Sequence, residues 1–129
     1  MTVTALYASI LTLFYIALSF RVINIRRSDR ISVGDGANPS LMRRMRIHGN
    51  FAEYVPLGLI LMALIESMNV DRIIVHALGV TLLAGRIAHA YGLASDDRLT
   101  YRTVGMVLTF VSLICGALLC AFGALWHGM

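Results

Sequence analysis

Four long apolar stretches separated by short polar ones account for almost the whole chain. The first runs from Val3 to Phe20, close to the ~20 residues that carry a helix across the hydrocarbon layer. Arg21, Arg26, Arg27 and Arg30 follow. Residues 32–40 then read as a loop by their glycines, asparagine and proline, with Ser40 or Asn38 placed to cap the next helix. That second helix is predicted to continue to about Ser67, through Pro56. The missing proline N–H frees the carbonyl of Ala52 and predicts a kink. Glu66, Asn69, Asp71 and Arg72 make a short polar turn, and a third span is predicted from Ile73 to about Leu93. Ser95-Asp96-Asp97-Arg98 reads as the last loop. The fourth span is predicted from near Tyr101 to Trp126, an interfacial aromatic anchor. The pattern predicts an all-α integral membrane four-helix bundle, a single domain over residues 1–129 with no room for a soluble one.

Composition agrees with the membrane setting. The 129 residues are 58% hydrophobic and only 14% charged, with a mean hydropathy of +0.76, well above an ordinary soluble domain. No basic residue precedes the first span, so it lacks the start of a secretory signal and is expected to stay in the mature protein. All 11 basic residues are arginine, so each can hold a carboxylate in a fork. Seven of them, Arg21 through Arg46, lie between the first and second spans, whereas the turn between the second and third holds Arg72 alone. The positive-inside rule therefore predicts that the long loop and the loop at 94–100 are cytoplasmic and both termini outside. Cys115 and Cys120 share one apolar run and read as lipid-facing or packing residues, not as a metal pair or disulfide framework. Without a Cys/His quartet, a phosphate loop or a soluble basic region, the chain gives no indication of zinc, nucleotide or nucleic acid.

The candidate chemistry begins at the start of the second helix. Arg43, Arg46, Asn50, Glu53 and Leu57 recur at spacings of three and four, so one face carries two arginines, an amide and a carboxylate into an apolar segment. In the third span, Arg86 and His89 interrupt the same kind of segment. At about 1.5 Å per residue, Glu53 and Arg86 both lie roughly 20 Å from the outer surface. They are expected to lie at matching depth and face the interior of the assembly, with Arg86 paired to Glu53 or to a ligand carboxylate. A purely structural pair is the other reading of that pattern. Taken alone, His89 reads as a packed or hydrogen-bonded histidine, and His48 lies off the stripe. Arg21, Arg26, Arg27, Arg43, Arg46, Arg86, Arg98 and Arg102 bring every span to one end. Such a cluster, with one carboxylate and one amide, suits a small hydrophilic anion that bears carboxylates and one ammonium.

The run Arg46-Ile-His-Gly-Asn50-Phe-Ala-Glu53-Tyr54-Val-Pro56-Leu57 resembles the signature of the MAPEG family, the membrane-associated proteins of eicosanoid and glutathione metabolism. Val22-Ile23-Asn24-Ile25-Arg26-Arg27, Gly85-Arg86-Ile87-Ala88-His89 and Arg102-Thr103 are similar to other family segments, so the resemblance covers nearly the whole chain. It implies a homotrimer in membrane lipid, with glutathione as cosubstrate near the cytoplasmic face at subunit boundaries. By position, Arg46, Asn50 and Glu53 would hold the tripeptide, with Arg86 bracing them and Arg27 and Arg43 adding cations. Arg102 and Thr103 would face the thiol as catalytic groups. Two third-span positions where eukaryotic members carry tyrosines fall on His89 and Leu93, and Tyr91 lies on another face. The small bacterial members are thus the nearest kin, and a bacterial inner membrane the expected location.

The resulting reading is a glutathione-dependent enzyme that conjugates glutathione to lipophilic electrophiles, reduces lipid hydroperoxides, or does both. A small multidrug or ion exporter also fits four short spans with one membrane carboxylate, although exporters favour a midplane position. A non-catalytic trimeric scaffold is the third reading.

Overall fold

The computed structural model of the chain describes residues 1–94 and 98–127. Four helices follow one another: α1 (Thr2–Ser28), α2 (Pro39–Ser67), α3 (Arg72–Ala94) and α4 (Leu99–His127). Each is long and apolar enough to cross a membrane, and together they make the expected all-α four-span bundle. The predicted spans sit inside these helices, which extend beyond the apolar runs. α1 in particular continues past Phe20 for about two further turns, to Ser28. Arg26 and Arg27 in its last turn oppose the negative end of the helix dipole there. Of the expected last loop, residues 95–97 lie outside the described residues.

The start of α2 is fixed by two devices visible in the chain. Asn38 accepts hydrogen bonds from the Ser40 and Leu41 N–H groups through Oδ1, at 2.9 and 3.1 Å, and Pro39 occupies a first-turn position where no N–H is required. α2 remains one helix through Pro56. At its far end Glu66 reaches across to the start of α1, accepting from the Val3 N–H at 2.9 Å and the Thr4 N–H at 2.8 Å. Met1 offers α1 no side-chain cap, so a carboxylate from a neighbouring helix satisfies N–H groups that would otherwise be left bare.

Viewed in section, α2 and α3 occupy the short diagonal of the bundle, each touching every other helix. α1 and α4 stand at the long diagonal and make no contact with each other among the described residues. The core is a chain of apolar side chains from the first three helices, among them Leu11, Phe51, Met62, Ile65, Val75 and Leu82. α3 and α4 pack most extensively, and glycine explains why. A Cβ at Gly105 would lie 2.4 Å from the His89 backbone nitrogen, and one at Gly92 would lie 2.5 Å from the Arg102 nitrogen. Small residues at both crossings let the two backbones meet, as is usual where lipid removes the hydrophobic drive between helices.

Candidate functional site

Arg86 is the most deeply placed charge. It is 2% exposed and the largest fully buried side chain. Two helices supply its surroundings: α2 through Asn50, whose Oδ1 and backbone carbonyl accept from Nη1 at 3.3 and 3.4 Å, and α4 through Thr109, whose Oγ1 accepts from Nη2. Thr109 passes its own proton to the Gly105 carbonyl at 2.8 Å. The guanidinium carbon lies 5.5 Å from the centre of the Tyr54 ring, a further source of cation stabilisation. The expected partner Glu53 is not among these groups, and no ion pair joins the two. Arg86 is stabilised instead by neutral oxygens and an aromatic face, and the Glu53 carboxylate is left exposed on the surface of the single chain.

Asn50 borders the largest of the described cavities, about 660 Å³. α2 lines it with Met42, Met45, Arg46, Gly49, Asn50 and Glu53, of which Arg46, Asn50 and Glu53 belong to the predicted polar face of that helix. α3 contributes His89 and Leu93, and the first turn of α4 contributes Arg102. The remaining wall is Gly34 and Asp35 from the α1–α2 loop. This loop folds on itself: Asp35 Oδ1 accepts from the Ala37 N–H at 3.1 Å, its carbonyl accepts from the Asn38 N–H at 3.0 Å, and Asn38 Nδ2 donates to Asp29 at 2.6 Å. Gly34, Gly36 and Ala37 hold positive φ values of 72°, 58° and 57° to make the turn. The cost of such a conformation at Ala37 is one a non-glycine residue bears only where neighbours fix it.

Four of the sequence candidates, Arg46, Asn50, Glu53 and Arg102, thus share one groove, with Arg86 behind its wall. The other three stand apart. Thr103 is exposed and does not line the groove. Arg27 is exposed at the end of α1, and Arg43 lines a separate cavity of about 380 Å³ with Arg21 and Arg44. His89 and Leu93, the positions where the sequence resemblance sets tyrosines in eukaryotic members, also line the groove, and they follow Arg86 by three and seven residues on one face of α3. His89 is only 4% exposed, yet it belongs to the groove wall and not to the apolar core. Asp35 carried no such signal, because a loop's path over a helix start has no period to read.

Electrostatically the groove holds both signs. Arg46 and Arg102 supply fixed cations, Glu53 and Asp35 supply carboxylates, and Asn50 supplies a neutral donor and acceptor. Arg102 is the fourth residue of α4, so the free N–H groups of that helix start add to its field. A zwitterion with more carboxylate than ammonium fits such a set.

Known proteins are similar to this chain over almost its whole length. A protein of Escherichia coli strain K12, "Inner membrane protein YecN", is 38% identical over 126 residues, covering 97% of this chain and 92% of that protein. Its counterpart in Escherichia coli O6:H1 strain CFT073 matches to the same extent. Residues 4–122 match the MAPEG family model, which takes in all four helices and every residue of the groove. The chain is a multi-pass membrane protein and belongs to the MAPEG family, whose members serve eicosanoid and glutathione metabolism.

Proposed function

We propose that the groove binds glutathione and that the protein is a glutathione-dependent membrane enzyme. It conjugates the thiol to lipophilic electrophiles, reduces lipid hydroperoxides, or does both. The observation that carries this reading is the convergence of Arg46, Asn50, Glu53 and Arg102 on one groove of about 660 Å³. Glutathione brings two carboxylates, one ammonium and a thiol. Arg46 takes a carboxylate, Glu53 takes the ammonium, and Asn50, held by Arg86, donates to or accepts from the peptide backbone. Arg102 stands beside the thiol. A free thiol titrates near ~8.5, so a guanidinium at a helix start raises the thiolate fraction at neutral pH. In conjugation the thiolate forms an S–C bond and the electrophile either expels its leaving group or takes up a proton. In peroxide reduction the thiolate attacks the O–O bond, the alcohol leaves, and a second glutathione converts the sulfenic acid to disulfide and water.

Arg27, Arg43 and Thr103 have no place in the groove of a single chain. The arginine of the α1 end is available to the groove of an adjacent copy, in keeping with a trimer whose sites lie at subunit boundaries. The arginine excess around the α1–α2 connection sets that end of the bundle in the cytoplasm and both termini outside. Glutathione then reaches the groove from the cytoplasm and the lipophilic substrate reaches it from the bilayer.

The direct test is a titration of the purified protein with glutathione, with thiolate formation followed by ultraviolet absorbance. Wild type should bind and show the thiolate band. Glu53→Gln should bind about 10- to 100-fold more weakly, the worth of one charge-assisted hydrogen bond of about 1.5–3 kcal/mol. Arg102→Leu should bind with the thiolate band lost. No binding by the wild-type protein would sink the reading.

A further inference from the structure

The groove wall holds a polar group that neither the packing of the bundle nor the binding of glutathione has yet used. His89 is only 4% exposed and lines the groove, yet neither ring nitrogen makes a hydrogen bond with a described residue. Two other histidines are satisfied within the chain. His48 Nε2 lies 3.0 Å from the Ser19 hydroxyl, and His76 Nδ1 lies 3.2 Å from the Tyr7 hydroxyl. Folded proteins pair nearly all their buried polar side chains. An imidazole more than nine-tenths buried and left open on a groove wall is therefore matched to something that enters the groove.

The helix crossing fixes its level. A Cβ on Gly105 would collide with the His89 backbone nitrogen, so His89 stands level with Gly105. Arg102 lies three residues nearer the start of α4, about 4.5 Å toward the groove mouth. Arg86 lies three residues deeper on the same face of α3. The ring thus has a guanidinium on each side, and both charges act on it. A neutral imidazole offers one N–H donor and one acceptor. Between two cations, the atom best served by that donor is an oxygen on which negative charge develops, since all three groups then stabilise it. With sulfur held at Arg102, the attacked atom sits about 3–3.5 Å away. The oxygen that gains charge lies one or more bonds beyond it, about one turn deeper and level with His89. That is also the side from which a molecule dissolved in the bilayer arrives.

We propose that His89 is a catalytic residue whose N–H donates to the substrate oxygen that gains charge, so that the groove favours hydroperoxides and α,β-unsaturated carbonyls over halides. This role rests on the groove binding glutathione. In peroxide reduction the thiol proton passes to solvent and the thiolate forms an S–O bond. The O–O bond breaks with its electron pair on an alkoxide held by His89, and the alkoxide takes a proton from solvent to leave as the alcohol. With an enone, the S–C bond forms at the β-carbon and the π pair moves to give an enolate. Its oxygen accepts from His89 until a solvent proton completes the thioether. Displacement of iodide from an alkyl iodide forms an S–C bond and gives His89 no oxygen to serve.

The test uses the full-length protein in detergent with glutathione and a long-chain hydroperoxide, enone or alkyl iodide. Glutathione binding by wild type is checked first, so that a failure of that reading is seen separately. Turnover is expressed per thiolate, counted from the ultraviolet band. His89→Leu should slow the hydroperoxide and the enone about 100-fold, the cost of one oxyanion donor, and the iodide by less than about 3-fold. His89→Gln restores an N–H and should recover about 10-fold of that loss. A second readout needs no turnover. A saturated long-chain ketone bound to the glutathione-loaded wild type should show its carbonyl stretch at lower frequency than in detergent alone, and His89→Leu should remove the displacement. An undisplaced stretch in wild type overturns the proposal even where both variants fail to fold. Equal slowing of all three substrates would make His89 structural, and loss of the thiolate band or of glutathione affinity in His89→Leu would make it a ligand of the tripeptide. Either result also overturns the proposal.

Discussion

Arg86 shows how much a single residue can organise. Its guanidinium is buried among neutral partners, and Nε has no hydrogen-bond partner among the described residues, so each remaining bond matters. Thr109 is the oxygen partner from α4, and its removal leaves Nη2 with only the weak acceptor Met106 Sδ at 3.6 Å. Thr109→Val keeps the side-chain shape and deletes the acceptor. It should lower stability by about 1–3 kcal/mol, read as a lower thermal midpoint in detergent, and a midpoint equal to wild type would mean that Thr109 does not support Arg86. The presence of a deep arginine was legible from its place in an apolar run. Its partners were not. Depth matching pointed to Glu53 because depth is a one-dimensional coordinate, whereas rotation about the helix axis decides contact. Rotation turns Asn50 toward α3 and leaves Glu53 on the open face.

At the scale of elements, the helices and their order follow from the length and spacing of apolar runs, and of the two cap candidates, Ser40 and Asn38, it is Asn38 that caps α2. Two contacts between elements had no sequence signal. The first is the reach of Glu66 to the start of α1, which joins residues 63 and 62 positions apart. Glu66→Gln offers one oxygen where two N–H groups need acceptors and loses the charge that favours a helix start. The cost should be about 0.5–2 kcal/mol, with hydrogen exchange accelerated in the first turn of α1 and unchanged in α3; equal exchange at Val3 and Thr4 would count against the cap. The second is the approach of α4 to α3. Glycines at 85, 92 and 105 are visible in the chain, but only the fold shows that Gly92 receives the first turn of α4 and so sets Arg102 on the groove wall. Gly105→Ala would drive a methyl into the His89 backbone, forcing the helices apart at a cost of about 1–3 kcal/mol. Because His89 and Arg102 flank that crossing, the variant should lose glutathione affinity as well as thermal stability. Lost stability with full affinity would show that the groove tolerates the shift.

The whole molecule poses a problem that one chain does not solve. Arg46 and Glu53 are exposed on the surface of the bundle, and Glu53 lies well inside the second membrane span. Translocon scales place a carboxylate at the centre of a span at about 2.5–3.5 kcal/mol unfavourable, and an exposed one facing lipid would bear most of that. Arg86 escapes this cost by turning inward, but Glu53 has no partner among the described residues. The groove mouth is also wide, with only the folded loop at Asp35 above it. A second copy resolves both at once, since a neighbour packed against the open face of α2 would take Glu53 out of lipid and close the groove. The apolar residues exposed along α1 and α4, such as Leu13, Phe20, Val107 and Ile114, supply surface for such contacts and for lipid. Sequence alone leaves this level dark, because an interface depends on two surfaces that must match, and periodicity reports only one. For the trimer proposed above, light scattering of the protein in detergent, corrected for bound detergent, should give three chains per particle. Glu53→Leu should leave that number at three, since an apolar side chain suits a covered face, while it removes glutathione binding. A wild-type particle of one chain, with Glu53 reactive toward a lipid-soluble carbodiimide, would mean that the groove faces the bilayer and that the assembly proposed around it is wrong.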